Sequence, residues 1–273
     1  MPLTRIGSID VNYTIDGDAG LPWLMLSNGL GLDLTMWAPQ LEAVSQQFRV
    51  LRYDTRGHGG TSTPAAAATM DELGGDVLAL MEHFGVERAH FCGFSMGGLI
   101  AIWLGIHAPA RVERLVLAHT AARIGPVSMW NERIATVRAG GMHAISETAM
   151  RRWFTPDFIV RHPDIVSASR RVMERNDPTG YIHCCAAVRD ADYRDDVAGI
   201  DVPTLVMSGA YDVATTPADP AFLAGRIRGA QRVEIDAAHL SNFERPQEFS
   251  AALLHFLNPV SADRVPARSA ASS

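Results

Sequence analysis

Phe91-Cys92-Gly93-Phe94-Ser95-Met96-Gly97-Gly98-Leu99-Ile100, FCGFSMGGLI, sets one serine among glycines with an apolar run on either side. Ala89 to Phe94 is a short apolar run suited to a buried strand, and GGLIAIWLGIHAP continues with the spacing of a buried helix. Ser95 therefore falls at a strand-to-helix turn. Gly93 and Gly97, two positions either side, fit the G-x-S-x-G elbow, in which a tight turn holds a nucleophile in a strained conformation. The helix that begins there points backbone N–H groups and the positive end of its dipole at any negative charge developing beside Ser95. The same residues also suit a buried serine that caps a helix between packing glycines, so the chemistry depends on partners elsewhere.

Outward from the elbow, strands and helices alternate. RIGSIDVNYTIDG reads as a hairpin around Gly7-Ser8, and PWLMLSNG and FRVLRYDTRGHG as buried strands running into glycine-containing loops. MDELGGDVLALMEHFGV has helical periodicity. VERLVLAHT, VPTLVMSGAYD and QRVEIDAAH read as strands, and PQEFSAALLHFLN as a final helix. This order predicts an α/β fold, a mostly parallel sheet with helices on both faces. From about Arg123 to Gly199 there are helical patterns but no convincing strand, which predicts an inserted helical cap. The expected organisation is a core of residues 1–122 and 200–260, a cap of 123–199, and a disordered tail of 261–273, SADRVPARSAASS.

Bulk properties narrow the function. The 273 residues, 47% apolar and 20% charged, can bury a substantial core. A net charge of -6 without runs of lysine or arginine argues against binding nucleic acid or anionic membrane, so a bound anion must meet a local cation. The three cysteines, Cys92, Cys184 and Cys185, are odd in number and two are adjacent, a poor disulfide framework that points to a reducing compartment. MPLTRIGSIDVNY lacks the apolar core of a signal peptide, and no stretch has the length and polarity of a membrane span; the expectation is a cytoplasmic protein. Nothing in the sequence specifies an oligomeric state.

A serine hydroxyl needs a base to activate it and a carboxylate to orient that base. In serine hydrolases built on such a sheet the chain order is nucleophile, acid, histidine. Asp212 ends LVMSGAYD and His239 ends VEIDAAH, both where a strand runs out at the carboxyl edge, the edge at which open α/β sheets place their sites. Asp219 and Asp236 are the alternative acids, one well past its strand and one too near His239 in sequence. Two N–H donors should hold the oxyanion: that of Met96, and one from the Gly-rich SNGLGLDLTMW loop, where the register selects Leu30.

These residues resemble the α/β-hydrolase fold and, within it, the family of 3-oxoadipate enol-lactonases. The resemblance rests on LSNGLGLDLTMWAPQ, FRVLRYDTRGHGGTS, FCGFSMGG, NERIATVRAGGMHA, RRWFT and DAAHLSNFERP, and runs from about residue 3 to 257. Asp54-x-Arg56-Gly57-His58-Gly59 and the elbow are common across the fold, whereas SNGLGLDLTMW, HTAARIG and RRWFT discriminate more. Asn28 departs from the histidine of many relatives. The resemblance implies a stand-alone enzyme that hydrolyses the enol-lactone to 3-oxoadipate in the β-ketoadipate pathway of aromatic degradation, with no metal or organic cofactor. Such a substrate carries a carboxylate, costly to bury without a cation. The candidates are Arg133, Arg138 and Arg152 of the cap with the indoles of Trp130 and Trp153; Arg133 and Arg138, in NERIATVR, rank first, Arg152 is placed beside Trp153, and Arg56 stands in reserve. His183-Cys184-Cys185 lacks the paired spacing of a metal site. A carboxylesterase, a C–C bond hydrolase or a cofactor-free perhydrolase would need the same serine, and a non-catalytic small-ligand receptor on this fold is the rival from another class.

Overall fold

The computed structural model describes residues 2–258. The tail expected over 261–273, and the last two residues of the expected core, lie outside the described residues. The chain opens with a hairpin of β1 (Leu3–Ile6) and β2 (Ile9–Asp16), followed by β3 (Trp23–Ser27), α1 (Ala38–Val44), β4 (Arg49–Tyr53) and α2 (Met70–His83). β5 (Ala89–Phe94) leads into α3 (Met96–His107), and β6 (Val112–Ala118) follows. Five helices come next: α4 (Val127–Gly140), α5 (His143–Trp153), α6 (Pro156–Arg161), α7 (Pro163–Glu174) and α8 (Pro178–Asp190). β7 (Thr204–Gly209), α9 (Ala218–Arg226), β8 (Gln231–Ile235), α10 (Ser241–Glu244) and α11 (Pro246–Leu257) complete the described chain.

The eight strands form one sheet in the order β1-β2-β4-β3-β5-β6-β7-β8. β2 is antiparallel to β1 and β4, and the pairings from β4 to β8 are all parallel. Every residue of β7 is buried, as expected for a strand covered on both faces, whereas the edge strand β8 exposes Gln231, Arg232 and Glu234, the two charges among them discouraging pairing with another chain. The chain lays β4 on one side of β3 and β5 on the other, so the strand order reverses between β3 and β5. The crevice at their carboxyl ends is where such sheets bind ligands.

Local chemistry explains the elements that frame this crevice. Helix α2 starts at a capping box: the Thr69 hydroxyl accepts from Glu72 N, and the Glu72 carboxylate accepts from Thr69 N at 2.9 Å. Its buried Met70, Leu73, Val77, Leu80 and Met81 recur on one face and hold it to the sheet. Helix α3 buries residues all round and fills the centre of the layer. The five helices between β6 and β7 lie over the carboxyl edge. Asn176 pins them to the core, donating to Gly31 O at 2.9 Å and accepting from Gly59 N at 3.0 Å. Leu240 N donates to Trp153 O at 2.8 Å, a second link between the two layers.

Candidate active site

Ser95 has φ 55° and ψ -109°, a left-handed conformation that costs an L-residue about 1–3 kcal/mol. The surroundings hold it there. Ser95 N donates to Ala118 O at 2.8 Å, and its carbonyl accepts from Thr120 Oγ1 at 2.8 Å and Gly98 N at 2.9 Å. The glycines are a matter of space: a Cβ on Gly93 would lie 1.9 Å from Gly97 O, and one on Gly97 would lie 2.4 Å from Ser27 O. The turn thus passes close under the end of β3 and lifts Ser95 into the cavity.

The loop after β3 supplies the facing wall. Asn28, fully buried, donates to Tyr53 O at 2.8 Å and accepts from Trp37 Nε1 at 2.8 Å, and the Trp37 ring meets Phe94 edge-on at 6.2 Å. Asp54 takes the N–H groups of Leu34 at 2.7 Å and Gly60 at 2.8 Å, joining this loop to the one after β4. Leu30 lines the crevice, Met96 follows Ser95 as the first residue of α3, and among the described residues their backbone N–H groups donate to no protein acceptor. Two free donors beside a strained serine are the arrangement that stabilises an oxyanion.

Asp212 follows β7 and His239 follows β8. His239 Nδ1 lies 2.7 Å from Asp212 Oδ2, and both residues are buried. The carboxylate is well supplied with donors: Ala214 N at 2.7 Å and Thr215 N at 3.0 Å on Oδ1, and Thr215 Oγ1 at 2.8 Å on Oδ2. Burial pushes the Asp212 pKa up, but its electrostatic pairing with His239 and the hydrogen bonds of His119 and His239 outweigh it and hold the carboxyl well below the usual range. An ionised Asp212 can only accept, so His239 carries its proton on Nδ1 and leaves Nε2 free to act as a base. Ser95 and His239 line the same cavity without a hydrogen bond between their side chains, a contact that often tightens only around a substrate. The rival acids sit elsewhere: Asp236 pairs with Arg245 at 3.2 Å, and Asp219 lies in the first turn of α9, where its carboxylate accepts from Thr216 Oγ1.

His119 had no assignment from the sequence. It stands directly after β6, next to last in VERLVLAHT, in the strand-end position that singled out Asp212 and His239, and its Nδ1 lies 3.0 Å from Asp212 Oδ2. His119, Asp212 and His239 offer ligand atoms within 4.8 Å of one another, the grouping that could hold a metal ion among the described residues. Hydrogen bonds account for it already, since both imidazoles aim Nδ1 at one carboxylate oxygen.

The roof of the cavity comes from the helices above. Trp130, Arg133, Arg152 and Trp153 line it opposite Ser95 and His239. Arg133 lies 5.2 Å over the Trp130 ring and donates to Tyr181 Oη at 3.4 Å, while Arg152 donates to Val213 O at 3.4 Å. Neither forms an ion pair among the described residues. Burial, and then the charge of Arg133 nearby, depresses the Arg152 pKa.

The ranking of the arginines changes here. Arg138 is exposed and does not line the cavity: five positions on from Arg133 it has turned about 140° around α4. Arg152, placed third, faces the pocket instead, beside Trp153. Arg56 is engaged, donating to Asp76 at 2.7 Å and Glu72 at 3.0 Å. The sequence could not separate the three cap arginines, because helix phase relative to the cavity depends on how the helices cross. Cys92, Cys184 and Cys185 are free and buried.

This geometry suits acyl transfer: a strained serine, an imidazole oriented by a carboxylate, two free N–H donors, and a roof bearing two unpaired cations. Comparison with known proteins agrees. Residues 22–140 match the α/β-hydrolase fold family. The chain is 42% identical to 3-oxoadipate enol-lactonase 2 of Acinetobacter baylyi, over 90% of this chain and 92% of that one. It is 38% identical to 3-oxoadipate enol-lactonase 1 of the same organism, over 92% and 94%. The crystal structure of the enol-lactonase from Burkholderia xenovorans superposes with a TM-score of 0.93 at 45% identity, covering 94% of this chain and 99% of that one.

Proposed function

This chain belongs to the 3-oxoadipate enol-lactonase family of α/β-hydrolases, and from that premise we propose that it opens the enol-lactone of 3-oxoadipate through an acyl-enzyme on Ser95. In this reading His239 Nε2 takes the Ser95 proton as Oγ attacks the lactone carbonyl, and the Leu30 and Met96 N–H groups hold the oxyanion. Collapse of the tetrahedral intermediate breaks the ring C–O bond, and the departing enol oxygen takes the proton from His239. The enol then ketonises, which removes the nucleophile that would re-close the ring. Water, deprotonated by His239, attacks the acyl-enzyme; breaking its ester bond returns the proton to Ser95 and releases the diacid.

The observation that carries the choice of substrate is the pair of arginines without acidic partners, Arg133 and Arg152, in the roof of the same cavity as Ser95. A carboxylate entering there gains charge-assisted hydrogen bonds and relieves the repulsion between two half-buried cations. The indoles of Trp130 and Trp153 would shield it from water. A neutral ester has no use for such a roof, which favours an anionic lactone over a general carboxylesterase substrate. The same reading places the enzyme in the cytoplasm, in the β-ketoadipate pathway, and three free, buried cysteines suit a reducing compartment. Among the described residues no helix is long and apolar enough to cross a membrane.

The test is direct assay with freshly generated enol-lactone, followed by loss of its absorbance, alongside labelling with a fluorophosphonate. Turnover of the lactone acid, with labelling at Ser95, is expected. Labelling with hydrolysis of neutral esters alone would point to an esterase, and no labelling to a binding protein.

A further inference from the structure

The proposed reaction leaves one group of the site unused. His119 is fully buried at the tip of β6, with φ 51°, and among the described residues only Ser95 shares a positive φ without being glycine. Its backbone N–H is tied to Met207 O at 2.8 Å, and its ring stacks on Phe94 at 4.9 Å and 22°. An apolar side chain would fill that space without burying polar ring atoms, though it would bear the same positive-φ strain. The histidine instead makes two buried polar contacts: Nδ1 to Asp212 Oδ2 at 3.0 Å and Nε2 to Ser241 Oγ at 2.6 Å.

We infer that His119 is a positioning residue for the Asp212–His239 pair, its Nδ1–H holding Asp212 Oδ2 in the orientation that receives His239 and sharing the charge of that oxygen. The inference rests on the acyl-enzyme reading above. The direction of the chain of bonds follows from the donors. Ionised Asp212 accepts only, so His119 is protonated at Nδ1, and the Nε2 lone pair then accepts from the Ser241 hydroxyl. Burial favours the uncharged imidazole, lowering its pKa. A neutral donor is the suitable one here, because it fixes the carboxylate without the positive charge that would cancel its support of the His239 imidazolium. The two rings approach the same oxygen from different sides, at 83° and 5.5 Å between centroids. Oδ2 thus accepts from His239, Thr215 and His119, leaving it little freedom to rotate. The titratable groups facing this cluster are Asp212, His239 and His119 themselves, with Asp219 of α9 and Arg152 of α5 acting on or through Asp212 from further away.

Two amides separate the two ends of the ring. The side-chain nitrogen of asparagine can stand where Nδ1 stands, and asparagine tolerates a positive φ, so His119→Asn retains the bond to Asp212. Glutamine reaches the Nε2 position, so His119→Gln retains the Ser241 contact and loses Asp212. In the full-length protein, His119→Gln is expected to lower kcat about 10-fold to 100-fold on both the enol-lactone and p-nitrophenyl acetate. KM should stay within about 2-fold, because His119 touches no substrate. The acid limb of the kcat profile should move up by about half a pH unit or more, since Asp212 no longer shares its charge. His119→Asn should keep kcat within about 3-fold and leave the limb in place.

Wild-type kcat and an unshifted limb in His119→Gln would overturn the inference. So would an equal fall in both variants with no shift, which is the mark of a packing role. Nitrogen NMR of the wild-type imidazole provides a measurement independent of any variant's folding: a proton on Nδ1 with bare Nε2 supports the inference, and the opposite tautomer or an imidazolium at neutral pH overturns it. If p-nitrophenyl acetate is hydrolysed but the lactone is not, the substrate reading fails while the comparison of the two variants is still read on the ester.

Discussion

The loops at the carboxyl edge of the sheet and the helices that cover them treat their polar groups in opposite ways. At the sheet edge the side chains that orient the site are tightly engaged: Asp212 accepts from five donors, Asn28 bonds at both ends of its amide, and Asp54 ties two loops together. The cap roof leaves two guanidinium groups with no acidic partner, held by long contacts to a phenol and a carbonyl and, for Arg133, by the face of Trp130. A fully satisfied network is rigid, and rigidity is what a reacting geometry needs. An unsatisfied cation is a place kept for something from outside. On the proposed reading the floor sets the reaction type, and the roof sets what reacts.

The sharpest way to break this division is to attack the floor first. Ser95→Ala should fold normally, since the elbow accepts a smaller side chain, yet lose roughly six orders of magnitude in kcat. A well-folded Ser95→Ala with near-native turnover would remove the floor from the chemistry. Asp212→Asn should follow with a loss of about 10⁴ in kcat and substrate binding retained, because the amide favours the wrong tautomer of His239. Asp236→Asn, at the surface beside Arg245, should be near wild type; the reverse ranking would mean that the acid is misassigned.

Changes in the roof should be smaller and selective for charge. Arg133→Met and Arg152→Met should each lower kcat/KM for the lactone acid by about 10-fold to 100-fold, the worth of a hydrogen bond to a charged group, while a p-nitrophenyl ester changes by less than about 3-fold. Arg138→Met, on the exposed side of α4, should change neither substrate. Equal losses on both substrates would show that the arginines support the fold and not recognition.

A further expected effect, on stability and not on turnover, lies at the seam between floor and roof. Burial lowers the pKa of His58, whose ring faces Tyr181 at 6.1 Å, to about 4. Unfolded, the same group titrates near 6.5, so between these values the unfolded chain binds the extra proton and stability rises with pH. Its contribution, at most about 3 kcal/mol, is complete above pH ~6.5 and is lost as the pH falls toward 4. His58→Phe should flatten the urea midpoint over that window; an unchanged slope would place the titration elsewhere.

How much of this could be read from the residues depended on the range of the interactions involved. The elbow is local: a glycine on each side of Ser95 and a strand running into a helix define it within ten residues; β5 spans the residues read as a strand, and α3 begins one residue before GGLIAIWLGIHAP and ends two before its last. Asp212 and His239 were legible because strand ends in a parallel sheet share one edge, so position along the chain predicts proximity in space. Short helices such as α6 and α9 carried too little periodicity to stand out from loop. His119 was hidden for another reason: it satisfies the same strand-end rule, but the expected chain order has no place for a second imidazole. The sequence by itself thus determined the fold class, the order of the strands and of the longer core helices, and the residues at the sheet edge, because hydrophobic period and turn chemistry act over a few residues. Only the tertiary structure decided that Arg152 and not Arg138 faces Ser95, that Arg56 is bound to Asp76 and Glu72, and that two histidines share Asp212, because each depends on the angle at which separately formed elements pack against one another.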